Sequence, residues 1–440
     1  MNNNKVLAWS IVVALGGFLF GFDTAVISGA EKAIQQLWNL SSVEHGFTVS
    51  IALIGTVIGS LLGGIPTDRL GRKQTLIWIA VAYFVSALGS ALASDWVIFL
   101  IFRFLGGLGV GASSVAAPMY ISEISPAKSR GKLVGLFQFN VVFGILVAYF
   151  SNYFMQGIAE NDWRWMLGIQ AVPSVIFFVA LLNVPESPRW LIMKHNLVKE
   201  AKEILDIIDP STSEETLQAI ISANETTQSK PKENLFSGKY KSPVTLAVLF
   251  AVFNQVSGIN AIIYYSPRIF EMTGLGTKAA FLSSAGIGLV NFLFTLLAIN
   301  FIDKFGRKVL MTVGSFGLII TLGLVARAFF INDFTGVPIF LFVYIAFFAF
   351  SQGAVIWVFI SEIFPNEVRA SGQSLGSFTH WIMAAIIAFS FPIIADTFGG
   401  GITFSFFCGT MILQLLFVWK VMPETKGTSL EQIEKSMIIH

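Results

Sequence analysis

Apolar residues run along the chain in long blocks that are separated by short polar turns. Twelve of these blocks are each about 20 residues long, the length that a helix needs to cross a hydrocarbon core of about 30 Å. Six blocks precede a long polar segment and six follow it. The pattern predicts an all-α membrane protein with twelve transmembrane helices, which we number as spans 1 to 12. The spans are expected near 6–28, 46–66, 74–94, 97–118, 133–155, 164–184, 243–265, 279–302, 309–331, 337–361, 371–396 and 402–422.

Composition agrees with a chain that is largely embedded in lipid. Only 12% of its 440 residues are charged and its mean hydropathy is +0.73, whereas a soluble domain carries about 25% charged residues. The first block lacks the small-residue cleavage site of a secretory signal, so we expect it to remain as span 1. The single cysteine, Cys408, excludes an intramolecular disulfide. The sequence contains no cluster of metal-ligand spacing, so neither a metal nor a cofactor is expected.

The polar segment divides the chain into two halves. We expect an N-terminal six-helix bundle at 1–184, a partly helical cytoplasmic linker at 185–241, a C-terminal six-helix bundle at 242–422 and a short cytoplasmic tail at 423–440. With both termini cytoplasmic, most of the 28 Lys and Arg residues fall on the cytoplasmic side, as the positive-inside rule requires. The sequence therefore predicts a multi-pass protein of the cell (plasma) membrane.

Three motifs of the first half recur in the second half in the same order. Their offsets lie between 235 and 239 residues. Recurrence at a nearly constant offset predicts two pseudo-symmetric six-helix bundles in parallel orientation. The pairs are Asp68-Arg-Leu-Gly-Arg-Lys73 with Asp303-Lys-Phe-Gly-Arg-Lys308, Ser122-Glu-Ile-Ser-Pro126 with Ser361-Glu-Ile-Phe-Pro365, and Pro185-Glu186 with Pro423-Glu424.

Two charged side chains lie inside predicted spans, where a charge is energetically unfavourable. Asp23 falls well inside span 1, and Arg103 follows a few apolar residues at the start of span 4. A charge at bilayer depth costs several kcal/mol unless it is paired or faces water, so both are candidates for a functional site. One interpretation is that Asp23 takes up and releases a proton while Arg103 favours its ionised form. The alternative is a permanent structural ion pair.

The loop charges follow a different logic, because carboxylates and guanidinium groups alternate at helix ends in both halves. Arg can bridge two helix ends with bidentate hydrogen bonds, so these residues are expected to form a salt-bridge latch on the cytoplasmic side. The alternative is a topology signal with ordinary surface pairs, each worth at most about 1 kcal/mol. The predicted latch residues are Asp68, Arg69, Arg72, Glu123, Arg130, Glu186, Arg189, Asp303, Arg307, Glu362, Arg369 and Glu424.

Neutral polar side chains inside the spans predict a polar cavity. Amides both donate and accept hydrogen bonds, as hydroxyl groups do, and an indole ring packs against the apolar face of a pyranose. This combination favours a carbohydrate, although Asn and Gln also join helices in membranes. A lone histidine is more often structural, so His380 is assigned no chemistry. The polar residues are Gln138, Asn140, Asn254, Gln255, Asn260, Asn291, Gln352 and Gln373, with Trp357 and Trp381 at similar depth.

Span 7 is expected to be interrupted. Ser257-Gly-Ile-Asn260 lies inside it, and Tyr264-Tyr-Ser-Pro267 follows. Glycine and proline weaken a helix, and in a transporter a weakened helix marks a gate or a binding segment. We therefore predict a gate at Tyr264 and Tyr265, with an aromatic pair at the membrane interface as the alternative.

Taken together, these motifs resemble the sugar porter family of the major facilitator superfamily over nearly the whole chain. Each motif is weak alone, but all of them in order are specific. The matching segments are Asp68-Arg-Leu-Gly-Arg-Lys73, Arg103-Phe-Leu-Gly-Gly107, Pro118-Met-Tyr-Ile-Ser-Glu123, Pro185-Glu-Ser-Pro-Arg189, Gln255-Val-Ser-Gly-Ile-Asn260, Asp303-Lys-Phe-Gly-Arg-Lys308 and Pro423-Glu-Thr-Lys-Gly427.

The resemblance implies roles for individual residues. It places sugar contacts on Gln138, Gln255, Asn260, Asn291 and Trp357, with Asn254 and Trp381 adjacent. The Asp23 and Arg103 pair matches the proton-coupled members of the family, whereas facilitative glucose carriers have an amide at the aspartate position. The resemblance therefore favours symport over uniport.

Two positions depart from the family pattern. The first of two consecutive glutamines in span 7 is here Asn254, which is one methylene shorter and is expected to loosen or redirect a sugar contact. The Gly-Pro before the tryptophan of span 10 is here Gly353-Ala354, so a helix-weakening proline is missing. These departures bear on binding and on gating at Trp357.

The sequence therefore predicts sugar (hexose or pentose)–proton symport by alternating access. The expected partners are a small-molecule sugar, a proton and the lipid bilayer, with no nucleic acid, and the functional unit is expected to be a monomer. A facilitative uniporter of the same fold is the alternative. A sugar-binding nutrient sensor is disfavoured because the tail at 423–440 is short, and an enzyme because no nucleophile–base or metal constellation is present.

Overall fold

The computed structural model describes residues 3–126, 129–227, 234–365 and 368–426, so most of the predicted tail lies outside the described residues. Within these ranges the regular structure is helical, with no strand and with a 3-10 turn at Gly238–Tyr240. The α-helices are α1 (Asn3–Leu37), α2 (Ser42–Leu62), α3 (Gly64–Arg69), α4 (Arg72–Leu92), α5 (Trp96–Ile124), α6 (Arg130–Met155), α7 (Asp162–Gly168), α8 (Ala171–Leu182), α9 (Pro188–His195), α10 (Val198–Ile208), α11 (Ser213–Thr227), α12 (Lys241–Val256), α13 (Ile259–Met272), α14 (Thr277–Phe305), α15 (Arg307–Ile331), α16 (Val337–Phe350), α17 (Gln352–Glu362) and α18 (Arg369–Lys420).

The helices account for every predicted span. Eleven helical stretches in the described ranges are long and apolar enough to cross a membrane. The last of these, α18, has 52 residues and comprises two helices that meet at Gly399, where φ is 79°. These two helices are the predicted spans 11 and 12. The prediction of an all-α membrane protein with twelve transmembrane helices is therefore confirmed.

Spans 7 and 10 are broken helices. In span 7, α12 ends at Val256 and α13 begins at Ile259, as the interruption at Ser257-Gly-Ile-Asn260 predicted. In span 10, α16 and α17 meet at Ser351, whose φ and ψ are −116° and −88°. The missing proline before Trp357 therefore does not make span 10 continuous. Ser351 instead directs its hydroxyl to the Phe347 carbonyl at 2.6 Å, a local bond that competes with regular helix.

The backbone groups released by the break in span 7 are bonded by side chains from other spans. Tyr344 Oη donates to the Ser257 carbonyl at 2.9 Å, and Thr410 Oγ1 donates to the Val256 carbonyl at 2.7 Å. Further along, Pro267 has no N–H to offer the Ile263 carbonyl, which accepts a 2.6 Å bond from Tyr149 Oη instead. A broken helix inside a membrane requires such partners, because lipid offers none.

The described residues form two compact units. Unit 1 comprises the described parts of 1–24, 55–145 and 167–232, and in it α4 packs along α5 and α8. Unit 2 comprises those of 25–54, 146–166 and 233–440, and in it α18 packs against α12 and α15. Phe250 and Phe359 stack at 5.0 Å within an apolar cluster of unit 2. The predicted bundles and linker, whose boundaries differ from these units, remain predictions.

Candidate functional site

Asp23 on α1 and Arg103 on α5 form a buried ion pair. Arg103 Nη1 lies 2.8 Å from Asp23 Oδ1, and each side chain is only 3% exposed. Arg103 Nη2 also donates to the Asp23 carbonyl at 3.4 Å. The structure thus brings together the two charges that the sequence singled out. Pairing offsets the large cost of keeping either charge inside a span.

Arg103 is incompletely bonded in this arrangement. Its Nε has no hydrogen-bond partner among the described residues. Gly106 leaves room for Ser86 beside this pair, since a Cβ there would lie only 2.4 Å from Ser86 Oγ, while its 3.6 Å distance from Asp23 Oδ1 would be an ordinary contact. The pair is thus held by one contact of 2.8 Å and one of 3.4 Å, with one guanidinium N–H left unbonded.

A second set of charges surrounds Arg72 at the start of α4. Arg72 makes a bidentate pair with Glu123, with both N···O distances at 2.9 Å, and a further contact with Asp68 at 3.2 Å. The backbone N–H of Arg72 donates to Glu186 at 3.0 Å, and Ser187 Oγ donates to Glu123 at 2.5 Å. We call these residues the Arg72 cluster. It joins the ends of α3, α4 and α5 to the segment before α9.

The same arrangement recurs around Arg307 at the start of α15. Arg307 pairs with Glu362 through bonds of 3.1 and 2.7 Å, and Thr425 Oγ1 donates to Glu362 at 2.6 Å. The backbone N–H groups of Arg307 and Lys308 donate to Glu424 at 3.0 and 2.9 Å. We call these residues the Arg307 cluster. The repeated motifs therefore fold into repeated contacts.

Gly71 and Gly306 allow a carboxylate to reach the backbone in each cluster. Their φ angles are 96° and 93°, a region that is essentially restricted to glycine. A Cβ on Gly71 would lie 2.3 Å from Glu186 Oε2, and one on Gly306 would lie 2.6 Å from Glu424 Oε2. Each glycine therefore supplies both the turn and the space for the acceptor.

Glu186 and Glu424, the carboxylates that accept from the backbone at the starts of α4 and α15, differ in the direction of their pKa shifts. Burial raises the pKa of Glu186 above its ordinary value and outweighs the backbone donors and Arg72, which act in the other direction. Burial is also the largest single influence on Glu424, but four backbone N–H donors together lower its pKa below the ordinary value. The pKa of this carboxylate is therefore shifted in opposite directions in two clusters that share one geometry.

Substitution of either glycine is expected to destabilise the protein. Gly71→Ala and Gly306→Ala should each cost about 1–3 kcal/mol because an L-residue is strained at this φ, with displacement of the carboxylate adding to the cost. The thermal midpoint of the purified protein in detergent measures this effect. Gly135→Ala is the matched control, since a Cβ at Gly135 on α6 meets nothing within 4 Å. Equal midpoints for the three variants would contradict the expectation.

The remaining predicted latch residues take varied positions. Asp68 is half exposed beside Arg72, while Arg69 and Arg189 form no ion pair with another described residue. Arg369 donates from Nε to the Phe364 carbonyl at 3.1 Å. The side chains of Arg130 and Asp303 lie outside what the structure describes.

The polar residues of span 7 form a hydrogen-bonded chain in unit 2. Asn260 Nδ2 donates to Gln255 Oε1 at 2.6 Å, and Gln255 Nε2 donates to Asn254 Oδ1 at 2.8 Å. Asn254 Nδ2 in turn donates to the Gln352 carbonyl at 3.3 Å. Asn254 and Gln255 lie at the end of α12 and Asn260 at the start of α13, so the break brings the three amides together. All are buried, so they form a polar site in an otherwise apolar interior.

His380 joins this site, although sequence reasoning assigned it no chemistry. Its ring nitrogens lie 3.2 Å from Gln255 Nε2, and its ring centroid lies 4.9 Å from that of Trp357 and 4.8 Å from that of Trp381. The structure thus groups one imidazole, two indoles and three amides. The signal that sequence reasoning passed over was the adjacency of His380 to Trp381.

The other predicted sugar and gate residues are placed as follows. Gln138 is half-buried on α6 in unit 1, and Asn291 is buried on α14 in unit 2. Tyr265 is fully buried, donates from Oη to the Ala388 carbonyl at 2.9 Å and lies at a kink in α13 with φ of −116°. Tyr264, its neighbour, is also buried. Pro267, two residues after Tyr265, accounts for the kink because it lacks a backbone N–H.

The sequence underestimated the number of buried charges. Helix α1 continues to Leu37, nine residues beyond the predicted end of span 1 at Ser28. The extension carries Glu31, which is 1% exposed and lies 2.8 Å from His45 and 2.9 Å from Arg268. Asp23 and Arg103 are therefore not the only buried charges among the described residues, and the partners of Glu31 are remote in sequence.

Comparison with known proteins gives the context for this geometry. A family model described as sugar (and other) transporter matches residues 9–437. The arabinose-proton symporter of Bacillus subtilis is 40% identical over 442 residues, which cover 98% of this chain and 95% of that protein. The family model covers the described structure from residue 9 onwards.

Solved structures give the same assignment. The inward-open xylose transporter XylE from E. coli matches with a TM-score of 0.87 and 33% identity, covering 98% of this chain and all of that one. The proton:xylose symporter XylE bound to 6-bromo-6-deoxy-D-glucose matches with a TM-score of 0.81 and 34% identity, covering 99% of this chain and all of that one.

Fold and site together define a polytopic transporter of the major facilitator superfamily. Within that superfamily, the chain belongs to the sugar transporter family.

Proposed function

We propose that this protein is a sugar–proton symporter that works by alternating access. The observation that carries the proposal is the buried pair of Asp23 with Arg103, one carboxylate facing one cation inside the spans. Support comes from relatives that are named arabinose-proton and xylose-proton symporters. A facilitative uniporter of the same fold needs no titratable carboxylate at this depth and is not favoured.

Asp23 is the proton carrier in this mechanism and Arg103 sets its proton affinity. While the 2.8 Å contact holds, the positive charge of Arg103 favours the ionised carboxylate. When α1 and α5 separate, Asp23 loses that stabilisation and binds a proton, which removes a charge that would otherwise be unpaired. Protonation thus follows the helix movement that alternating access requires.

Sugar binding is assigned to the amides and aromatic rings of unit 2. Gln255 holds Asn254, Asn260 and His380 in one hydrogen-bonded group, so several donors and acceptors are oriented before a ligand arrives. Trp357 and Trp381 flank His380 and offer indole faces to a sugar ring. The hydroxyl groups of a hexose or a pentose match this chemistry. Gln138 and Asn291 are further proposed contacts, and Tyr264 with Tyr265 the proposed gate.

The Arg72 and Arg307 clusters are assigned to the cytoplasmic latch. Each cluster ties the ends of several helices through a bidentate guanidinium–carboxylate pair, which is stronger and more directional than a single contact. We propose that both termini are cytoplasmic in the plasma membrane, in line with the positive-inside rule. The functional unit is proposed to be a monomer.

Uptake into proteoliposomes tests the proposal. Radiolabelled xylose, arabinose, glucose, galactose and fructose are supplied with and without an inward proton gradient. A potential of about 100 mV supports roughly 50-fold accumulation of a solute that carries one charge, so at least one sugar should accumulate strongly and only with the gradient. Equilibration that ignores the gradient would identify a uniporter, and no flux of any sugar would reject the substrate class.

A further inference from the structure

Glu31, His45 and Arg268 form a buried charged cluster that is separate from the Asp23 pair. Arg268 reaches Glu31 with Nε at 3.1 Å and Nη2 at 2.9 Å, and His45 Nε2 lies 2.8 Å from the same carboxylate. The exposed fractions of the Glu31 and His45 side chains are 1% and 0%, against 22% for Arg268. All three belong to unit 2. We call them the Glu31 cluster.

Three helix ends meet at the Glu31 cluster. Glu31 lies near the end of α1, His45 in the first turn of α2 and Arg268 near the end of α13. Neighbouring side chains complete its wall, since Gln35 Oε1 accepts from Arg268 and the Tyr265 ring lies 5.8 Å from that of His45. The cluster therefore holds the end of spans 1 and 2 against span 7.

Other charged groups on the neighbouring helix ends have partners of their own. Lys32 of α1 contacts Glu271 of α13, and Glu44 of α2 accepts two bonds from Ser41 at 2.9 and 2.7 Å. On α18, Asp396 accepts from Ser42. The charge that faces His45 is thus the Glu31 carboxylate, which Arg268 has already neutralised.

We propose that the Glu31 cluster is a second proton-binding site, in which protonation of His45 releases this end of spans 1, 2 and 7. Neither His45 Nδ1 nor His45 Nε2 has a hydrogen-bond partner among the described residues, although Nε2 lies 2.8 Å from Glu31 Oε2. A neutral imidazole fits, with its one proton on the nitrogen that faces Glu31 and none on Nδ1. A proton on Nδ1 places two cations beside one carboxylate and buries an N–H without an acceptor.

The direction of the effect follows from this count of charges and donors. Both costs of protonation fall on the packed arrangement, and both are relieved once water reaches the imidazole. Acid in contact with this end therefore favours its opening, and neutral pH favours closure. In the proposed orientation this end faces away from the cytoplasm. External protons would then promote the state that receives sugar, a consequence that rests on the proposed function.

Hydrogen–deuterium exchange of the full chain in lipid nanodiscs tests the proposal without requiring transport. Wild type and His45→Gln are compared at several pH values from about 5.5 to 8, the range in which imidazoles generally titrate. The Gln side chain keeps a polar group at this position but cannot take up a proton. At pH 8 the two proteins should be equally protected over 25–54 and 259–272. At pH 5.5 wild type should exchange these segments about three- to tenfold faster than His45→Gln.

Comparison at equal pH removes the intrinsic pH dependence of exchange chemistry. Gly46→Ala is the matched control for opening without titration, because a Cβ there would lie 2.2 Å from the Phe389 carbonyl on α18. It should speed exchange by a similar factor at every pH. Peptides from the Arg72 cluster should not differ between wild type and His45→Gln. If His45→Gln does not fold, His45→Leu serves as the non-titrating variant with the same expected result.

Identical pH dependence in wild type and in the non-titrating variant would overturn the proposal, as would slower exchange of wild type at acid pH. A transport measurement separates this outcome from failure of the proposed function. Sugar exchange by Asp23→Asn should accelerate at low external pH, and Asp23→Asn with His45→Gln should lose that acceleration. If Asp23→Asn exchanges no sugar, the proton-carrier role proposed for Asp23 fails, while the deuterium exchange result still decides the role of His45.

Discussion

The Asp23→Asn variant is expected to equilibrate sugar across the membrane without accumulating it. An amide keeps the shape of the carboxylate and can still accept from Arg103, but it neither ionises nor carries a proton. The driving force of about 100 mV, worth about 2.3 kcal/mol per charge, is then disconnected from the sugar. The accumulation ratio in proteoliposomes should fall from tens to about 1, while counterflow exchange continues. Uptake with an imposed gradient, measured beside counterflow, checks both parts.

Asp95→Asn is the matched control for this prediction. Asp95 caps α5 by accepting from the Ile98 N–H at 3.0 Å, and Asn caps helices equally well. The control changes the same functional group outside the span and should leave accumulation unchanged. Gradient-driven accumulation by Asp23→Asn would contradict the assignment of the proton to Asp23. Loss of counterflow as well would indicate that Asp23 has a structural role.

The hydrophobic pattern was sufficient to predict the twelve spans, because each must be apolar for about 20 residues whatever it contacts. The same requirement made Asp23 and Arg103 conspicuous, and the structure pairs them at 2.8 Å. Glu31 was not predicted to be a buried charge, for the opposite reason. It lies after the apolar block has ended, and only contacts with α2 and α13 show that the helix continues as a buried element.

The two charged clusters show what repetition can and cannot predict. Recurrent motifs indicated that Arg72 and Arg307 have equivalent partners, and the structure gives both a bidentate carboxylate. Sequence could not reveal that Glu186 and Glu424 accept from backbone N–H groups. Those bonds depend on the positive φ of the glycine that precedes each arginine. Nor could sequence reveal the opposite pKa shifts, which depend on burial.

The break in span 10 could not be predicted from residue types. Without its proline the segment was expected to be less weakened, yet regular helix is interrupted at Ser351. Ser351 is buried and bonded to Phe347, and Gly314 on α15 lies against its side chain so closely that a Cβ there would be 1.9 Å from Ser351 Oγ. Packing between spans therefore helps fix the geometry that a proline would otherwise impose.

The Gln255→Met variant is expected to lose most of its sugar affinity. Gln255 is the residue through which Asn254, Asn260 and His380 are connected, so its removal leaves three polar groups without a fixed partner. Each lost hydrogen bond is worth about 0.5–1.5 kcal/mol, and the loss of two such bonds corresponds to a rise in Kd of about 5- to 150-fold. Methionine keeps the length and volume of the side chain, so the change is polar rather than steric. Equilibrium binding of the sugar found in the uptake assay measures the effect.

Gln414→Met provides the matched control, because it removes the same group from a buried position elsewhere in the C-terminal spans. Gln414 is 0% exposed and donates to Ser315 Oγ at 2.8 Å, away from Gln255 and His380. Its loss should lower the thermal midpoint through an unpaired Ser315 hydroxyl while leaving Kd unchanged. If Gln414→Met weakened binding as much as Gln255→Met, the affinity of the protein would reflect general packing of the spans. A selective loss in Gln255→Met would instead assign the sugar to the hydrogen-bonded group at the break in span 7.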